Sequence, residues 1–179
     1  MLQKHNNGRC SQCGMFCNIV YQLQNSGNIP RVSDAAIRFS VHGRPVGKGR
    51  ARVSLRRGFA VAYTPAKTRE FESRVRAAAL QAASGPLIGP LRVRLSVQFC
   101  PPESWPRRRR EAAMSGAMWH GSKPDLDNVV KAVLDGMSGV AFLDDRQVVE
   151  LVAQKRYGDM DVTHVAVEPL SSKEDSHAL

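Results

Sequence analysis

Nine residues, LRVRLSVQF (91–99), alternate without interruption. Leu91, Val93, Leu95, Val97 and Phe99 take one face, and Arg92, Arg94, Ser96 and Gln98 the other, which is the period of a half-buried β-strand. A shorter run of the same kind, AIRFSVHG, sets Ile37, Phe39 and Val41 against Arg38, Ser40 and His42 and predicts the first strand, closed by Gly43 and Pro45. RARVSLRRGFAVAY reads as a hairpin, with Val53 and Leu55 before a turn at Arg56 to Gly58 and Val61 and Tyr63 after it. Thr64 followed by Pro65 predicts a helix start, a hydroxyl cap and then proline at the first helical position, and this helix runs to about Ala83, ahead of Gly85 and Pro86. Further strands are predicted near 147–156 and 162–168. Between them and the nine-residue strand lies a long polar connection, 100–124, with a short helix over 108–114; a connection of that length in a compact domain is usually functional or disordered. Together these elements predict an α+β fold over residues 36–170: a single domain with a mixed β-sheet of about five strands and two main helices packed on it. Residues 1–35 carry no sustained period and read as a poorly ordered extension, and 171–179 as a polar tail.

The stretch KPDLDNVVKAVLDGMSGVAFLDDRQ, residues 123–147, obeys a different rule. Pro124 favours extended backbone before it. If that state persists to Asp127, Asp125 and Asp127 project to the same side and Leu126 to the other; on a helix they would diverge. From Asp127 onward the period becomes helical: Leu126, Val129, Val130, Val133, Leu134 and Met137 share one arc, and Asp127, Asn128, Lys131, Asp135 and Ser138 another. Lys131 stands one turn beyond Asp127, so both can face one site. Gly136 and Gly139 are expected to end the helix, and Asp144 and Asp145 come at the mouth of the next strand, where one of them can complete a cation site. Two carboxylates on one side favour a cation between them, and hard oxygen ligands suit Mg²⁺, with Mn²⁺ as a substitute. Taken singly, Asp127 reads as a helix cap, Asp125 as a dipole partner, Lys131 and Asp135 as an exposed pair, and Asp144 and Asp145 as a turn. As an ensemble they point to a metal site.

Charge sharpens that contrast. The 179 residues hold 26 Lys plus Arg against 16 Asp plus Glu, a formal net charge of +10, with a pI near 10.0. Such a surplus favours a polyanionic partner, because each phosphate neutralised by a cation releases condensed counterions; a basic surface that merely solvates the protein is the plainer alternative. No apolar run approaches the length of a membrane span, and the N-terminus lacks a signal peptide's apolar segment. No membrane association and a cytoplasmic location are therefore expected, with the four cysteines reduced. Cys10, Cys13 and Cys17 stand at C-x2-C-x3-C spacing with His5 nearby, which is only loosely like a zinc knuckle; free thiols on a tail are the plainer reading.

At residues 123–151, KPDLDNVVKAVLDGMSGVAFLDDRQVVEL, the sequence resembles the RusA family of Holliday junction resolvases, endonucleases of bacteria and phages that depend on Mg²⁺. GRPVGKGRAR and YTPAKTREFE support the likeness, which covers roughly residues 36–170; Ala51 stands where many relatives have proline. The resemblance implies a RusA-like fold and paired symmetric nicks at a four-way DNA junction, in DNA recombination and repair within a bacterial or phage-infected cell. By position it implies that Asp125, Asp127 and Asp145 are the metal-binding catalytic aspartates and Lys131 the essential lysine, with Asp144 an extra candidate ligand. Two symmetric cuts imply two sites, which a twofold homodimer supplies. Candidate phosphate contacts are Arg44, Lys48, Arg50, Arg52, Arg56 and Arg57, then Lys67 and Arg69, then Arg107, Arg108, Arg109 and Arg110. Phe59, Tyr63 and Trp105 are candidates for stacking on unpaired bases, though each is more often a core or turn aromatic. His120, beside the acidic motif, is a candidate for contacting phosphate, though an ordinary exposed histidine is the plainer reading. Two other readings stand beside this one: a binding protein for branched DNA without catalysis, and a nuclease for flaps or other branches.

Overall fold

A computed structural model describes residues 36–50, 52–56 and 59–170 of the chain. The expectations for the extension, including its cysteines, for Arg57 and for the C-terminal tail lie outside the described residues. Among the described residues, six strands and three α-helices run in the order β1 (Ile37–His42), β2 (Arg52–Arg56), β3 (Phe59–Tyr63), α1 (Ala66–Ala82), β4 (Leu91–Phe99), α2 (Arg107–Met114), α3 (Leu126–Met137), β5 (Val148–Tyr157) and β6 (Val162–Pro169), with a 3-10 turn at Asp145–Gln147 just before β5. The chain thus has the α+β architecture predicted from its pattern.

The central sheet has four strands in the order β1-β6-β4-β5, while β2 and β3 form a ribbon of their own. β6 runs antiparallel to both β1 and β4, and β4 and β5 are parallel. The connection between these parallel strands contains α2 and α3, as a parallel pair requires a long crossover. The alternation of β4 is obeyed: Leu91, Val93, Leu95, Val97 and Phe99 are all buried. They meet Phe71, Val75 and Ala79 of α1 and Val129, Val133 and Met137 of α3 in one core, and each large side chain buried there contributes about 1.5–3 kcal/mol. The opposite face carries charge in pairs. Glu168 of β6 accepts from Arg94 at 2.8 Å and from Arg38 at 3.4 Å, and Glu150 of β5 accepts from Arg92 at 2.6 Å.

Two boundaries differ from expectation. Thr64 does not cap α1: Pro65 is the N-cap, and its carbonyl accepts the N–H groups of Thr68 and Arg69, both at 3.1 Å. Gly136 does not end α3 but lies buried inside it, because α1 passes too close for any side chain. A Cβ there would come within 2.8 Å of Val75 Cβ and Cγ1 and 2.9 Å of the Glu72 carbonyl oxygen. The helix stops one residue later, where Ser138 turns extended and Gly139 adopts a φ of +74°.

Candidate active site

The chain reaches α3 through a cis peptide at Lys123-Pro124. Asp125 is the N-cap, extended at φ −68°, ψ 142°, and its carbonyl accepts the Val129 N–H at 3.2 Å. That bond closes the first helical turn, so Asp127 is already helical and the extended run expected through Asp127 stops at Asp125. The two carboxylates nevertheless stay at the same helix end, both exposed, and the Asp125 side chain makes no capping bond. The helix N-terminus favours negative charge at both positions. Exposed Lys131 lies four residues beyond Asp127, hence on the same side.

Two residues, Lys155 unnoticed in the sequence and His120 read there as exposed, hold this end of α3 in place. Lys155 of β5 donates from Nζ to the carbonyls of Ser122 at 2.7 Å and Pro124 at 2.9 Å, immediately before Asp125. The signal was present in the period: Lys155 pairs in register with Val97, so it occupies a strand position whose neighbours point into the core. His120 is buried rather than exposed. Its ring stacks on Phe99 at 4.2 Å and tilts against Tyr157 at 4.7 Å, pinning the loop to the end of β4 and β5. Burial, then the nearby charges of Lys155 and Arg44, hold the His120 imidazole below its ordinary pKa, only partly opposed by Asp161.

A second brace comes from the glycine-rich loop after β1. The Lys48 N–H donates to the Asn128 carbonyl at 2.7 Å. Gly47 lies so close that a Cβ would sit 3.0 Å from Asn128 Cβ and 3.2 Å from Pro124 Cβ. Lys48 Nζ pairs with Glu72 of α1 at 2.6 Å and with Asp135 of α3 at 2.5 Å. Burial opposes its charge, but these two carboxylates outweigh burial and raise its pKa. Lys48, a candidate phosphate contact, also ties α1 to α3.

Asp144 and Asp145 are separated from the first acidic pair by the whole of α3. Gln147 Oε1 accepts from the Leu143 and Asp144 N–H groups, while its Nε2 donates to the carbonyls of Leu87 and Gly89, fixing this turn beside the start of β4. Asp144 caps the turn. Its Oδ1 accepts from the Arg146 backbone N–H at 2.9 Å and from Nε at 3.0 Å, and its Oδ2 from Nη2 at 3.0 Å. Chiefly through the Arg146 side chain, its pKa falls to about 2. Both Asp144 oxygens being engaged, Asp145 is the exposed carboxylate of this turn. Among the described residues no three His, Cys, Asp or Glu side chains form a group able to hold a metal ion. Asp125 and Asp127 alone suit Mg²⁺ or Mn²⁺ in ligand chemistry, since such ions take one or two carboxylates and leave the remaining positions to water and phosphate.

The basic candidates are scattered around this end and the ribbon. Arg44, Arg50, Lys67 and Arg69 are exposed, and Arg52 and Arg56 bound β2. On α2, Arg107 pairs with Glu111 at 2.8 Å, Arg109 lies over the Trp105 ring at 3.8 Å, and Arg108 and Arg110 are exposed. Trp105 meets Tyr157 edge-on at 5.5 Å, whereas Phe59 and Tyr63 of the ribbon are exposed. No helix among the described residues is long and apolar enough to cross a membrane.

Residues 42–168 match the family model described as Endodeoxyribonuclease RusA. The chain is also similar to an uncharacterized protein of Bacillus subtilis (strain 168), YqaN, at 34% identity over 139 residues, covering 76% of this chain and 98% of that one.

Proposed function

The chain belongs to the RusA endodeoxyribonuclease family, and from that premise we propose that it cuts four-way DNA junctions by paired symmetric nicks, using Mg²⁺, as a cytoplasmic homodimer serving recombination and repair. The observation that carries this reading is the exposed pair Asp125 and Asp127 at the start of α3, with Lys131 one turn on, in a chain of net charge +10. Basic residues hold the phosphate backbone, whose neutralisation supplies most of the affinity. Carboxylates gathered at a helix N-terminus would repel the same backbone unless a cation stood between them.

In this reading Asp145, which the resemblance assigns to the metal, lies past the far end of α3, and Asp125 and Asp127 would hold Mg²⁺. When bound, it polarises the scissile phosphodiester and lowers the pKa of a water for in-line attack. The protein's own groups do the rest. Lys131 offers a positive charge one turn from Asp127, placed to stabilise negative charge developing on the phosphoryl oxygens. Lys155 and the Gly47 and Lys48 loop fix the backbone on either side of Asp125, so its carboxylate needs little reordering. Exposed Arg108 and Arg110 on α2, with Arg44, Arg50, Lys67, Arg69 and the hairpin arginines, supply phosphate contacts.

The test compares a synthetic four-way junction with a linear duplex of the same sequence, in Mg²⁺ and in EDTA, for wild type and Asp127→Asn. Symmetric nicks confined to the junction are expected in Mg²⁺ alone. Asp127→Asn should lose more than about 100-fold in cleavage rate while binding the junction as tightly as wild type. Equal loss of binding and cutting would refute the division between basic surface and acidic site, cleavage restricted to flaps would move the substrate, and binding without cutting would leave a branched-DNA-binding protein.

A further inference from the structure

Trp119, six residues before Asp125, is left 80% exposed, although tryptophan is highly buried on average. A single exposed apolar side chain means little by itself; what sets Trp119 apart is how its backbone is held. Its carbonyl accepts the Gly121 N–H at 3.1 Å. The next residue, His120, is buried against the Phe99 ring at 4.2 Å and the Tyr157 ring at 4.7 Å, and Lys155 holds the Ser122 carbonyl at 2.7 Å. The indole thus projects from a clamped segment, and fixing it against a ligand costs little more than the freedom of its two side-chain torsions. The same ring cluster carries the basic helix. Trp105, just before α2, meets Tyr157 edge-on at 5.5 Å, and Arg109 of α2 lies over Trp105 at 3.8 Å. Arg44 comes near enough from the loop after β1 to act on the His120 charge, and it is exposed, as are Arg108, Arg110 and Lys123. An outward indole among cations suits a ligand that joins a flat apolar face to negative charge, which is the chemistry of a nucleotide. An apolar protein surface would bury these cations unpaired.

Resting on the nuclease reading, we propose that Trp119 is a specificity-determining residue, its indole stacking on the base left uncovered at the branch point of the DNA. In continuous duplex every base pair is covered above and below by its neighbours, so the indole finds no open face. At a branch point the helical stack is interrupted and a face is open. The arginines and lysines contact phosphates, which junction and duplex both carry, and so supply affinity for either. Stacking by Trp119 adds affinity for the branched form alone, and this difference is specificity. Trp119 also stands on the segment that leads into Asp125, so a base held on its indole fixes which phosphate lies nearest the acidic pair.

The test measures binding in EDTA, where neither metal nor cleavage enters, to a synthetic four-way junction and to a linear duplex of the same sequence. Trp119→Ala should bind the junction about 5- to 150-fold more weakly, the loss of one stack between a base and an aromatic ring, and should bind the duplex as wild type does. Trp119→Phe should recover most of the junction affinity. Trp105→Phe leaves Trp119 as the chain's only tryptophan, and in that background its fluorescence should be quenched by the junction and not by the duplex. A folded Trp119→Ala protein with wild-type junction affinity overturns the proposal and leaves the nuclease reading standing; if its oligomeric state has changed instead, the indole belongs to a protein contact. An equal loss on junction and duplex also overturns it, since Trp119 would then serve DNA binding without regard to branching. A wild type that binds junction and duplex alike would remove the branched substrate itself, and the stacking with it.

Discussion

Lys155→Met removes an ammonium that holds two backbone carbonyls and leaves most of the aliphatic stem in place. The bonds to Ser122 and Pro124, at 2.7 and 2.9 Å, are of the charged kind that contribute about 1.5–3 kcal/mol each where water cannot replace them. Ser122 is exposed and Pro124 and Lys155 only half-buried, so water takes over much of both bonds. Global stability should fall by only about 1 kcal/mol. The effect on the site should be larger, because the bonded segment ends at Asp125 and its geometry sets where that carboxylate sits. Loss of an outer partner of a metal ligand weakens metal affinity about 10- to 100-fold, or about 1.4–2.8 kcal/mol. A Mg²⁺ titration of junction cleavage should move its midpoint upward by that factor, with a matching loss in Mn²⁺ affinity by calorimetry. Junction affinity in EDTA should stay unchanged, and Lys155→Arg should recover part of the loss by donating to the same carbonyls. A folded Lys155→Met protein with a wild-type metal midpoint would refute the reasoning. So would a loss of junction affinity in EDTA at unchanged metal affinity, which would make Lys155 a phosphate contact.

Gly136→Ala sets two effects against each other: helix propensity alone predicts a gain of about 1 kcal/mol, but the new methyl would meet Val75 and the Glu72 carbonyl at 2.8–2.9 Å, and overpacking of this kind costs about 1–3 kcal/mol. A net loss of about 1–2 kcal/mol in denaturant unfolding is expected, partly relieved by adding Val75→Ala, and a stabilised Gly136→Ala would show that α1 and α3 are not packed as described. His120 titrates below its ordinary range in the folded protein, mainly through burial and then through Lys155 and Arg44, so below about pH 6.5 the unfolded chain binds the proton first. Stability contributed by neutral His120 is thus fully present above that pH and is lost as pH falls toward the lower folded value. His164 is shifted in the same direction, chiefly by burial, so the measurement is the difference between wild type and His120→Phe across about pH 7.5 to 5, and identical slopes would show that His120 does not titrate as described.

Patterns set by one element were legible in the sequence. The alternation of β4 and the arc of α3 each report a single face against a single core, and both faces are buried as read. What escaped was set by contacts between elements. Thr64 and Pro65 carry a good local cap signal, but the Thr68 hydroxyl, which accepts from the Gly49 N–H and donates to the Gly47 carbonyl, joins this turn to a loop fifteen or more residues away, and no local rule contains that loop. Gly136 looks like a stop until α1 is beside it. His120 looks exposed because its own neighbours are polar, while the rings that bury it come from β4 and β5.

The placement of Asp145 is the most instructive of these differences, because its physical reason was itself in the sequence. A motif groups residues by order along the chain, and order invites the inference that acidic residues eighteen positions apart share a site. The helix between them works as a ruler: an amphipathic run from Leu126 to Met137 must hold the residues at its two ends about 18 Å apart, whatever the sheet beneath it does. The negative charge of residues 125–145 is thus divided between the two ends of α3, with Asp125 and Asp127 at its start and Asp144 and Asp145 past its end.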